Sequence, residues 1–211
     1  MLEKIVDGFV SKYDLKEVET GEFSDFKVSV LNFKAKAYEG DFGHVSCLNA
    51  KGLFGLMNME TVVINPFNKD MPLYSIDYIK AFGNNKLFLE QYDTNVNDSR
   101  KEEGFNRIIE RYKQYLVPKK KAYWYDDIRY ESSVTFNTKD NEKLMNIINE
   151  YTDEYLTLLD KASDCDRKMK KEKARKYSRG LIENGGPATD SFVSAFGKDK
   201  TKQFFDTIMF G

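Results

Sequence analysis

A chain of 211 residues is long enough to bury a sizeable core, and 41% hydrophobic with 14% aromatic residues excludes a disordered protein. Its 33 basic and 34 acidic residues leave a formal charge of −1, so no net basic field draws it to nucleic acid or to a membrane. Cys47 and Cys165 form neither a CxxC nor a zinc spacing, no apolar run approaches a membrane span, and the first residues lack a signal peptide's apolar stretch; a cytoplasmic protein is expected.

The chain opens with a helical pattern, in which Leu2, Ile5, Val6, Phe9, Val10 and Tyr13 fall on one face. After Gly21 the period changes to alternation. Phe26, Val28 and Val30 form one run, Phe33, Ala35 and Ala37 another, and further strands are predicted at 43–49, 53–64, 73–80 and 86–92. Short joins between successive strands imply antiparallel pairing, because parallel neighbours need long crossovers. From about residue 100 the helical period returns. Phe105, Ile108, Ile109, Tyr112 and Leu116 form a stripe that stops before Pro118. Residues 119–139 look irregular and carry the lone Trp. A longer helix follows, capped near Asp140 or Asn141 and running through Tyr151 and Leu159. A charged helix spans about 164–183 and breaks at Asn184-Gly185-Gly186, after which Pro187 suits the first position of a new helix. Gly197 divides that helix from a last one, with Phe204, Phe205, Ile208 and Met209 facing inward.

Strands first and helices later describe an α+β fold, with a central antiparallel sheet of about six strands. Runs 53–64 and 73–80 are apolar on both faces, so helices are expected on both sides, as a three-layer α/β/α sandwich. No linker or repeat divides the chain, and a single domain over 1–211 is expected.

Within the 73–80 strand, Leu73, Ser75, Asp77 and Ile79 share one face while Tyr74, Ile76 and Tyr78 share the other. A carboxylate among such neighbours loses hydration, which raises its pKa. An acid kept protonated near neutral pH can donate a hydrogen bond or a proton to a ligand. The competing reading is a solvent-facing Asp near a strand end or one paired with a Lys. No GxxxxGK[ST], GxGxxG, HExxH, GxSxG or EF-hand pattern occurs. His44 is the only histidine, which argues against a multi-His metal site or a Ser-His triad. The tracts Lys119-Lys120-Lys121 and Arg167-Lys168-Met169-Lys170-Lys171 read as solvated surface or as a docking patch for an acidic protein.

Two segments together carry a resemblance. Asp70-Met71-Pro72-Leu73-Tyr74-Ser75-Ile76-Asp77 resembles the strand of the ferredoxin-dependent bilin reductases and the related red chlorophyll catabolite reductases. The ending from Glu183 through Gly185-Gly186, Ala195-Phe196-Gly197-Lys198-Asp199 and Met209-Phe210 is similar to that family's C-terminus. The resemblance implies an antiparallel sheet sandwiched by helices, with an open-chain tetrapyrrole such as biliverdin held between the sheet and the C-terminal helices. It also implies reduction in one-electron steps coupled to protonation, electrons from ferredoxin as partner, and no tightly bound metal or flavin. Asp77 takes the place of the family's proton donor. The propionates of the pigment would want donors at the rim, for which Arg129 and Ser132 are candidates.

The chain departs from the family at three points. Where many members carry a second Asp in the C-terminal turn, Gly186 stands here, with Asn184, a candidate substrate contact, two residues before it and Asp190, a possible partial replacement, four after. A His used by some members aligns with Glu60, and no Glu stands near Leu48 or Asn49, where another acid would fall. A non-catalytic tetrapyrrole-binding protein on the same scaffold is the alternative.

Overall fold

The computed structural model describes residues 2–97, 101–119, 121–186 and 188–211. Pro187, expected to open a helix, and Lys120 of the basic tract lie outside the described residues. Alternating side chains form strands β1 (Lys16–Val18), β2 (Asp25–Val28), β3 (Leu31–Glu39), β4 (Gly43–Gly52), β5 (Met57–Pro66), β6 (Leu73–Ala81), β7 (Asn84–Tyr92) and β8 (Val134–Asn137). They make one antiparallel sheet in the order β1-β3-β4-β5-β6-β7-β8, with β2 also paired to β3, beside β1. Eight strands therefore replace the expected six. The additional ones are short: β1 has three residues, too few for a period to show, and β8 lies within the stretch that read as irregular. The predicted 53–64 strand begins instead at Met57, because Leu53 and Phe54 adopt φ of 50° and 54° in a hairpin turn.

Helices α1 (Glu3–Lys12), α2 (Glu103–Arg111) and α3 (Asn141–Lys161) cover one sheet face. Val62, Ile64, Tyr74, Ile76, Leu87 and Leu89 point into that layer. Asp140 caps α3, accepting the Lys143 N–H at 3.0 Å. Helices α4 (Arg167–Asn184), α5 (Thr189–Phe196) and α6 (Lys198–Phe204) cover the other face with the terminal turn 205–209. There Ala35, Ala37, Leu48, Val63, Leu73 and Tyr92 meet Tyr177, Phe192 and Phe204. The expected three layers are present.

Glycine shapes the second layer. Gly185 and Gly197, at φ of 79° and 80°, end α4 and α5 in the backbone region that side chains disfavour. Gly180 admits the Trp124 ring so closely that a Cβ would lie 2.2 Å from it. Three strand side chains then fasten the last residues: His44 Nε2 donates to the Ile208 carbonyl at 2.9 Å, Ser46 Oγ to Met209 at 2.8 Å, and Asn65 Nδ2 to Phe210 at 2.7 Å. His44 is thereby a buried structural residue. Among the described residues no helix is long and apolar enough to cross a membrane.

Candidate functional site

Strand parity turns Asp77 toward the α4–α6 layer, between Thr61 on β5 and Phe88 on β7. Its carboxylate accepts Thr61 Oγ1 at 2.5 Å and Ser75 Oγ at 3.2 Å. Burial pushes its pKa up to about 6, with the Glu90 charge adding to the rise and the two hydroxyl hydrogen bonds opposing it. Asp77 can therefore hold a proton at mildly acidic pH and release it near neutrality.

A polar network flanks this acid. Glu90 stands opposite Ser75 and accepts the Tyr92 hydroxyl at 2.7 Å and Arg129 Nη1 at 2.9 Å. Arg129 reaches Asp126 at 3.3 Å as well, which ties the 3₁₀ turn Trp124–Ile128 to β7. Tyr177 of α4 stacks on Tyr92 with ring centroids 4.3 Å apart, and burial raises both phenols well above their ordinary value. Trp124 Nε1 donates to the Gly185 carbonyl at 2.9 Å, joining that turn to the end of α4.

Asp77 stands where the covered part of this sheet face gives way to an open part. Val63, Leu73 and Tyr92 are buried, whereas Met59, Ile79, Phe88 and Trp124 are half-exposed. Two hollows of about 240 and 330 Å³ lie elsewhere, one beside Asp70, Gln91 and Leu158, the other beside Tyr13, Phe42 and Asn68. Neither reaches Asp77, which lies instead beside the half-exposed apolar strip of Met59, Ile79 and Phe88. Among the described residues no group of three His, Cys, Asp or Glu side chains is placed to hold a metal ion.

The residues singled out by sequence are only partly brought together. Arg129 lies beside Asp77 through Glu90, with a side chain that is 14% exposed. Asn184 is exposed at the end of α4, where its amide donates to the Gly180 carbonyl at 3.2 Å. Asp190 is exposed in the first turn of α5, beside Gly185. Two others lie on the opposite face of the sheet from Asp77. Glu60 precedes Thr61 on β5 and so faces the α1 layer, where it accepts the Leu2 N–H at 2.8 Å. Ser132 is also on that side: its N–H donates to Glu102 and its carbonyl accepts the Tyr151 hydroxyl. The fold also brings Thr61, Glu90, Tyr92 and Tyr177, none of which the sequence reading singles out, around Asp77 and Ser75. Glu90 and Tyr92 carry a signal, since with Phe88 they alternate against apolar Leu87 and Leu89.

The Asp77 proton has a measurable consequence for stability. The folded protein holds this proton more tightly than an unfolded chain, whose Asp titrates near about 3.9. Stability from Asp77 is thus greatest below that value and is lost as pH rises toward 6. Discounted for partial exposure, the loss is about 1–2 kcal/mol. Asp77→Asn should be more stable than the parent by about that amount at pH 8 and lose this advantage at pH 4, as measured by urea unfolding. A pH-independent difference would show that this acid titrates normally.

No family model matches the chain, and no curated protein matches it by sequence. Among solved structures it is similar to selenomethionine-labelled phytochromobilin synthase from tomato, in complex with biliverdin. The match has a TM-score of 0.67 and covers 97% of this chain and 80% of that one, at 12% identity. An antiparallel sheet between two helical layers, followed from end to end, is thus the fold this chain has in common with that synthase.

Proposed function

We propose that this protein is a bilin reductase that binds a biliverdin-like linear tetrapyrrole over the half-exposed strip beside Asp77. The observation that carries the reading is a single one: an acid with a pKa near 6 sits at the edge of an apolar sheet face, in a fold shared with a synthase crystallised with biliverdin. Met59, Ile79 and Phe88 offer flat apolar contact for a conjugated ligand, and Trp124 adds an aromatic wall.

Each electron delivered to the pigment adds negative charge where water is scarce, which is costly unless a proton follows. Asp77 supplies that proton, the O–H bond of the acid breaking as the new bond to the pigment forms. Thr61 and Ser75 then stabilise the resulting carboxylate through the hydrogen bonds they already make. Arg129 acts here by neutralising Glu90, while Asn184 and Asp190 stand at the outer rim as contacts for polar pigment groups. Ferredoxin is the proposed electron donor. The exposed cations Lys168, Arg175 and Arg179 on α4 offer it a complementary surface.

Adding biliverdin to the purified protein should shift and sharpen the pigment's long-wavelength absorption band. Under anaerobic conditions, ferredoxin and its reductase should then convert that band to a product. Absence of any spectral change on mixing would remove tetrapyrrole binding altogether. A stable band that ferredoxin never bleaches would favour pigment binding without turnover, the reading favoured by Gly186 standing where many bilin reductases carry a second Asp.

A further inference from the structure

Three hairpins meet at one end of the sheet, and each has the same make-up. Lys27, Lys51 and Lys80 enter the turns, while Asn32, Asn58 and Asn85 leave them. Register places all six in one transverse row, Lys27↔Asn32↔Lys51↔Asn58↔Lys80↔Asn85. The three lysines therefore share one face, on alternate strands about 10 Å apart. All three are exposed, and no ion pair among the described residues engages them, unlike Lys34, which faces Asp25 at 3.8 Å.

The turns between Lys and Asn present apolar side chains to solvent. Phe54 is fully exposed, Phe82 68%, Leu56 57% and Val30 54%. Large apolar residues protruding together mark interaction sites. The backbone sharpens the point. Leu53, Phe54 and Phe82 occupy φ between 50° and 54°, a region that disfavours bulky residues, and a Phe82-Gly83 turn normally carries Asn or Gly at its first position. Strain and exposure are thus combined at Phe54 and Phe82, whose rings stack on no other aromatic ring among the described residues, a combination that points to function outside the core.

We propose that this end of the sheet docks the protein reversibly on an anionic lipid bilayer. Phe54, Leu56 and Phe82 enter the headgroup region, and the Lys27-Lys51-Lys80 row lies against lipid phosphates. A bilayer accepts separate protruding tips without matching pockets, and a flat anionic surface meets a straight row of cations.

The test is cosedimentation with vesicles of phosphatidylcholine alone and with about 30% phosphatidylserine, at low and high salt. The protein should bind only the anionic vesicles, and high salt should release it. Lys27→Glu/Lys51→Glu/Lys80→Glu should weaken binding about a hundredfold, and Phe54→Ser/Phe82→Ser at least about tenfold. These positions are exposed, so the circular dichroism of both variants should match the parent. A variant of equal charge change on α4, Lys168→Glu/Arg175→Glu/Lys176→Glu, should bind within about twofold of the parent. The proposal is overturned if the parent ignores anionic vesicles, if the hairpin variants bind normally, or if the α4 variant loses as much. Binding to polyglutamate but not to vesicles would reassign the surface to an acidic protein and overturn it equally.

Discussion

Asp77→Asn should reduce the rate of biliverdin reduction about 10²–10⁴-fold while changing pigment affinity by less than about threefold. Asparagine has nearly the same shape, and its carbonyl oxygen can still accept the Thr61 hydroxyl at the position Oδ1 occupies. What it lacks is a transferable proton. A companion change, Thr61→Val, removes a hydrogen bond that holds the Asp77 pKa down, so it should move the pH dependence of turnover upward. Stopped-flow absorbance under anaerobic conditions, across pH 5 to 9, would separate binding from reduction. Turnover unaltered by Asp77→Asn would strip the acid of its proposed role, and loss of pigment binding alone would make it a binding residue.

The second large effect concerns the roof of the same sheet face. Phe204→Ala should destabilise the protein by about 3–5 kcal/mol, because the site is fully buried and ringed by aromatic neighbours. Phe204 packs against Phe23, Phe192 and Phe26 with centroids 5.0, 5.4 and 5.5 Å away. These residues come from a 3₁₀ turn, α5 and β2, so truncation leaves a void that several elements would have to move to fill. A fall in melting temperature of roughly 10 °C should accompany it. A fall of only about 2 °C would mean that the C-terminal helices collapse readily onto the gap, and that the roof is softer than its packing implies. The His44, Ser46 and Asn65 hydrogen bonds to the last carbonyls act in series with this cluster.

Local periodicity carried much of the architecture. The alternation of Leu73, Ser75, Asp77 and Ile79 against Tyr74, Ile76 and Tyr78 assigned both faces of β6 correctly. The stripe from Leu144 to Leu159 likewise marked α3 with its Asp140 cap. Both patterns arise from geometry within a few residues, so a linear reading can find them.

Relations between distant segments were another matter. Whether Glu60 or Thr61 stands beside Asp77 depends on how β5 pairs with β6, and a one-residue difference in register exchanges the faces. That register follows from turns such as Leu53–Leu56, whose positive φ angles shorten the strand the sequence suggested. The same pairing gathers Lys27, Lys51 and Lys80 into a row from places 24 and 29 residues apart along the chain. Composition and alternation marked most of the apolar core, because hydrophobicity and period act residue by residue, but they gave neither the exposure of Phe54 and Phe82 nor the burial of Lys170 within a tract that read as surface. Which polar groups meet was settled by folding, because cross-strand neighbours are chosen by turn geometry and long-range packing that no short window contains.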